Sequence, residues 1–194
     1  MHRSYLDVAA RLTSLPGYDP LPMEARHFTT PSAAQLVDVE ALRQLKYRYC
    51  RLLDTKHFAE LGELFVEDGT ASYGGGAITL TGRAEIVGFL TTSMGSERIL
   101  TSHLVGHPEI GLSEDGRSAT GSWALQDVVV LEEPGLVVRG ASYYEDRYVR
   151  VGDAWRIAHT GYRRLYEEIG PRVEGTRTTA SWWGTDGRSS LVGR

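Results

Sequence analysis

Residues 38–54 read DVEALRQLKYRYCRLLD, and in them Leu42, Leu45, Tyr49, Leu52 and Leu53 recur at intervals of three and four. That period lays one apolar stripe along a helix, so the segment is predicted to be helical, with Asp38 as its N-cap. A second helix is expected from His57 to Phe65, with Leu61, Leu64 and Phe65 on its buried side, ending before Glu67-Asp68-Gly69. Thr70 to Tyr73 then reads as a strand, Gly74-Gly75-Gly76 as a turn and Ile78-Thr79-Leu80 as its hairpin partner. Thr81 is expected to cap a third helix from Arg83 to Leu90. The rest is β in character: Ile99–Ile110, Ala119–Leu131, Leu136–Val151 and Ala154–Glu167 are long runs separated by short turn clusters such as Glu114-Asp115-Gly116 and Gly152-Asp153. Three helices ahead of a strongly curved, mainly antiparallel sheet imply the α+β class, as a cone-shaped barrel with the helices closing one side over a pocket.

This body spans residues 38–168. Before it lies an arm, residues 1–37, with a short helix expected over Ser4–Leu15 and then Pro16, Gly17, Pro20, Pro22 and Pro31. After it comes a tail, residues 169–194, rich in Gly, Ser, Thr and Arg yet holding Trp182-Trp183. Two adjacent tryptophans suit a docked lid or a subunit contact better than water. The whole chain has 194 residues, enough for one domain with a real core. A formal net charge of −4, with scattered basic residues, gives no footprint for nucleic acid. Cys50, the single cysteine, has no intrachain partner and falls in a helical pattern where packing is its plain role. No run of 18 apolar residues exists, and Arg3, Asp7 and Arg11 interrupt the first fifteen, so no membrane partner is expected and a cytoplasmic location is the default.

Polar residues on otherwise apolar elements carry the functional signal. Tyr49 sits on the helix stripe, and Asp54 follows about 140° further around the axis. Alone, the first is a core tyrosine and the second a cap for the next helix. His103, in the strand Leu100-Thr-Ser-His-Leu-Val105, offers the one imidazole whose ordinary pKa suits proton abstraction near neutrality. His107 shares its face only if the strand stays regular, and a His-x-x-x-His pair on a strand makes poor metal geometry, so no metal is expected. In Gly121-Ser-Trp-Ala-Leu-Gln-Asp127, alternation puts Trp123, Leu125 and Asp127 on one face. An antiparallel neighbour could bring Asp127 to His103 and fix its tautomer; a surface salt bridge is the competing reading. In the last strand Thr160, Tyr162 and Arg164 alternate with His159, Gly161 and Arg163, and parity alone does not say which set faces inward. An inward arginine would bind a substrate carboxylate or pair with Asp54. Gly74-Gly75-Gly76 lacks the lysine and spacing of a phosphate loop, and no Gly-x-Ser-x-Gly elbow occurs.

The run Leu45–Asp54, with Thr101–Ile110, Gly121–Asp127 and Thr160–Glu168, resembles the SnoaL-like family of the nuclear transport factor 2-like superfamily. The likeness is to bile-acid 7α-dehydratase and, more distantly, to scytalone dehydratase. It implies catalytic roles for Tyr49, Asp54, His103, Asp127 and Arg164, with Asp127 supporting the His103 base, and it puts Trp123 and Tyr162 against the substrate. The activity implied is cofactor-independent loss of water from a small apolar cyclic substrate, in a homo-oligomer, dimer or trimer. Isomerisation or polyketide cyclisation would use the same enolate, and a non-catalytic ligand binder or scaffold could use the same fold.

Overall fold

Lys46 and Asp146, both sealed from water, meet in the middle of the molecule and tie its longest helix to its sheet. The computed structural model describes residues 31–191. Its elements in chain order are α1 (Ala33–Asp54), α2 (Phe58–Gly62), β1 (Phe65–Tyr73), β2 (Ile78–Thr81), α3 (Arg83–Met94), β3 (Ile99–Leu112), β4 (Ser118–Leu131), β5 (Leu136–Val151) and β6 (Ala154–Pro171). The three helices pack on one six-stranded mixed sheet, ordered β2-β1-β6-β5-β4-β3, which curls into a cone without closing. All pairings are antiparallel except β1 with β6, and β3 is an edge strand. The short helix expected over Ser4–Leu15 lies outside the described residues.

Local chemistry moved several boundaries. Helix α1 begins five residues before the expected Asp38 start, because Ser32 and Gln35 form a capping box: Ser32 Oγ accepts from the Gln35 N–H, and Gln35 Oε1 from the Ser32 N–H. Asp38 instead lies inside the helix and accepts from Trp155 Nε1 at 3.1 Å and from Arg150. Helix α2 is one turn long, not nine residues. Phe65 already belongs to β1, where the Ile157 N–H donates to the Leu64 carbonyl and parallel pairing to β6 outcompetes the helical pattern. Helix α3 is capped at Gly82 and runs on to Met94, while the Thr81 N–H is taken by Glu85. The Gly74–Gly76 turn joins β1 to β2 as expected, with all three glycines at positive φ.

The core is the α1 stripe of Leu42, Leu45, Tyr49, Leu52 and Leu53 set against Phe65, Trp123, Leu125, Tyr148 and Ile157 of the sheet, with Ile86 and Leu90 from α3. Within it Asp146 accepts from Tyr148 (2.6 Å) and Thr160 (2.7 Å) and faces Lys46 Nζ at 2.8 Å, while Tyr148 in turn accepts from Trp123 Nε1 at 3.0 Å. The rest of the ammonium rests on the Tyr144 ring, 3.3 Å from its centroid. Removing one partner of such a buried pair strands the other charge, so Lys46→Met is expected to lower unfolding free energy by about 3–5 kcal/mol. Urea unfolding checks this, and a Lys46→Met/Asp146→Leu double variant should lose less than the single one. Equal losses for both would refute the ion-pair account.

Candidate active site

Asp54 closes α1 facing the edge strand β3, and its carboxylate takes three hydrogen bonds from that strand. Thr101 Oγ1 donates at 2.8 Å, the His103 backbone N–H at 2.8 Å and His103 Nδ1 at 2.6 Å. Burial pushes the Asp54 carboxyl up, but the His103 hydrogen bonds and charge, with Thr101, outweigh it and hold the group below its ordinary range. An ionised Asp54 can only accept, so Nδ1 of His103 carries a proton toward it, and Nε2 is the ring nitrogen that Asp54 does not engage. Both side chains are largely enclosed, at 23% and 10% exposure.

The pairing expected between Asp127 and His103 is corrected here. The two residues do stand directly opposite across β3 and β4. However, Asp127 is held by Arg164, with Nη2 donating at 3.0 Å to Oδ2 and Nη1 to Oδ1, and the partner of His103 is Asp54. Of the two roles expected of an inward arginine, the pairing with Asp54 is corrected: Arg164 pairs with Asp127, and its Nε lies 2.9 Å from Glu167. To reach β4 from β6 the guanidinium crosses β5 over Gly140, where a Cβ would come within 2.5 Å of Nη1. A residue with a side chain at this position would block the crossing, and the sequence around Gly140 does not announce it. Burial acts against the charge of Arg164, but the Asp127 hydrogen bond and charge more than offset it.

Arg164 also lies over the Tyr162 ring, 4.9 Å from its centroid. From Tyr162 a cage of tyrosines extends inward. Tyr73 and Tyr144 each sit 5.8 Å from it, and Tyr49 packs edge-on to Tyr144 at 6.2 Å. The Tyr49 and Tyr73 hydroxyls are 3.2 Å apart. Burial, then the neighbouring Tyr73 and Tyr144, raise the Tyr49 phenol well above its usual value, so it is a neutral hydrogen-bond donor. Tyr73 was not singled out from the sequence, because nothing in a short strand beside three glycines shows that its hydroxyl will meet another.

Of the remaining expectations, Trp123 is fully enclosed, with its indole N–H on Tyr148 and its ring edge-on to Tyr47. His107 stands exposed at φ 47°, where β3 slips register between Gly106 and Glu109, so it does not follow His103 along a regular strand. The tail docks by Thr178 and Arg172 onto Glu132 and sets Trp183 at 5.7 Å from the His57 ring, three residues after Asp54. One cleft of about 220 Å³ lies under this tail, bounded by Glu97, Leu100, Glu132 and Ser181. A second, of about 480 Å³, lies at the far end of the strands by Leu112, Thr120 and Arg147. Neither is lined by the five candidate residues. Among the described residues no three His, Cys, Asp or Glu side chains gather as metal ligands, and no helix is long and apolar enough to cross a membrane.

Residues 34–161 match the SnoaL-like domain, and the chain belongs to that family. Solved structures share the fold at low identity. A candidate scytalone dehydratase from Novosphingobium aromaticivorans is 22% identical with a TM-score of 0.64, covering 74% of this chain and 97% of its own. The hexachlorocyclohexane dehydrochlorinase LinA-type3 from Novosphingobium barchaimii LL02 is 15% identical with a TM-score of 0.64, covering 76% and 97%. ActVI-ORFA from Streptomyces coelicolor is 18% identical with a TM-score of 0.57, covering 66% and 98%.

Because Asp54 has a lowered carboxyl pKa when folded, the unfolded chain binds its proton first as pH falls. Its stabilising effect is therefore complete above the unfolded value of about 3.9 and is lost as pH drops through the lower folded value. The stability gap between the wild type and Asp54→Asn, followed by urea unfolding, should be open at pH 6 and narrow below about pH 4. A gap that is constant across that range would contradict the assigned ionisation.

Proposed function

We propose that this protein is a cofactor-independent carbon–oxygen lyase that removes water from a hydroxylated, ketone-bearing ring compound. The observation that carries the reading is the 2.6 Å hydrogen bond from His103 Nδ1 to an ionised Asp54, which leaves Nε2 free to take a proton. Nε2 removes the proton next to the substrate ketone, and the electron pair moves onto the ketone oxygen as an enolate. Tyr49, sealed beside Tyr73 and neutral, would donate a hydrogen bond to that oxygen once the tyrosine cage opens to admit the ring and Tyr73 takes the donor role toward Tyr49. When the enolate collapses, the carbon–oxygen bond at the β-carbon breaks. The proton held on His103 leaves with the hydroxyl as water, and a carbon–carbon double bond remains.

Asp54 stabilises the imidazolium formed in the first step. Asp127 stands opposite His103 with its charge taken up by Arg164, and that bidentate hold on Arg164 supports the Tyr162 side of the cage. Two structural neighbours bear the names of eliminating enzymes, a dehydratase and a dehydrochlorinase, which fits an elimination on this framework. The same enolate could serve an isomerase or a cyclase, and the product separates them: isomerisation leaves the mass unchanged, and cyclisation forms a new carbon–carbon bond and ring that simple dehydration does not. A ligand holder without catalysis would use the Asp54–His103 pair only to tie helix to strand, and would turn over no ketone.

The test is turnover of a panel of β-hydroxylated cyclic ketones, followed by mass spectrometry for loss of water. His103→Ala should abolish the product, and Tyr49→Phe should slow it by on the order of 100-fold, as removal of one oxyanion donor does. Full activity in His103→Ala would sink the assignment.

A further inference from the structure

We propose that Lys56 is a positioning residue for the Asp54–His103 pair, a role that rests on the elimination site described above. Lys56 lies two residues beyond Asp54 and holds φ at 56°, in the left-handed region that a non-glycine residue occupies only at a cost. That turn folds its side chain back to the start of the strand that bears the base. Nζ donates to the carbonyl of Ile99, the first residue of β3, at 2.8 Å, and to the carbonyl of Met94, the last residue of α3.

The need for such a clamp follows from topology. Strand β3 is at the sheet edge and pairs only with β4, so half of its backbone groups have no strand to meet. Helix α1 holds that side through Asp54, which takes the outward His103 N–H and the Thr101 hydroxyl. These bonds grip β3 at residues 101 and 103, and Lys56 grips it at residue 99. Chain segments 54–56 and 99–103 therefore close a four-cornered frame, bridged by hydrogen bonds at both ends. The segment 95–98 between α3 and β3 is largely exposed, and without the second bridge the start of β3 keeps its ladder to β4 on one side but loses its tie to the α1 end on the other. An ammonium suits the position because one head group reaches two carbonyls at once. Its half-burial lowers the Lys56 pKa, with the Asp54 charge opposing.

The experiment reads position as well as rate. In uniformly ¹⁵N-labelled protein, the downfield proton of His103 Nδ1 and the exchange rate of the His103 amide report the two bonds to Asp54 directly. Lys56→Met should broaden or erase the downfield signal and speed exchange of that amide at least 10-fold, while amides along the β4–β5 ladder keep their protection. With the hydroxylated ketone as probe, kcat should fall roughly 10- to 100-fold with KM nearly unchanged, the size expected for misplacing a reacting group. Lys56→Arg, and more weakly Lys56→Gln, should restore both readouts, since each keeps a donor for the carbonyls. Unchanged His103 signals and kcat in Lys56→Met would overturn the proposal. Loss of protection throughout the sheet, in any of the three variants that folds, would overturn it too, by making Lys56 a general stabiliser. The underlying reading fails differently, through activity that survives His103→Ala, whatever Lys56 does to the NMR signals.

Discussion

A helix lying across a curled sheet needs something to set its height and rotation, and here that is a single ion pair sealed from water. Lys46 reaches from the middle of α1 to Asp146 on β5, where Tyr148, Thr160 and, through Tyr148, Trp123 complete the polar network. Apolar packing alone would tolerate small slides and rotations of α1, because hydrophobic contact is non-directional. A buried charge tolerates very little, because any displacement exposes it unpaired to a low-dielectric interior. Tyr49, three residues on from Lys46, and Asp54, at the helix end, inherit their positions from that fixed point.

The candidate site is then assembled from two hydrogen-bonded pairs that share no member. Asp54 with His103 joins helix to edge strand, while Asp127 with Arg164 spans three strands of the sheet. Between them His103 and Asp127 face each other across one ladder, and Tyr162 connects Arg164 to the tyrosine cage. The separation has a chemical consequence. His103 keeps one carboxylate within hydrogen-bond reach, and the second, already neutralised by arginine, does not compete for its proton.

Much of the framework was legible from periodicity. Leu42, Leu45, Tyr49, Leu52 and Leu53 are all buried on one side of α1, and Trp123, Leu125 and Asp127 alternate inward along β4 as their parity implied. The failures were local and have local causes. The Ser32–Gln35 capping box lay upstream of the apolar stripe, so a reading anchored on the stripe began the helix at Asp38. Leu64 and Phe65 fit a helix and a strand equally well, and only the parallel partner strand decides between them. Lys46 lay on the stripe unremarked, since nothing near it in sequence names its partner a hundred residues away.

The sequence by itself determined most of the elements, their order and the buried sides of α1 and β4, because those follow from periods of 3.6 and 2 and from turn residues acting over a few positions. It also held the candidates for acid/base work, as polar side chains on apolar faces. Only the tertiary structure decided who pairs with whom. Asp54 and Asp127 both lie within reach of His103 in principle, and the choice depends on the tilt of α1 over the edge of the sheet and on the bare Cα of Gly140, which lets Arg164 claim Asp127 first. Those are distances between segments far apart in the chain, set by packing, and no local pattern encodes them.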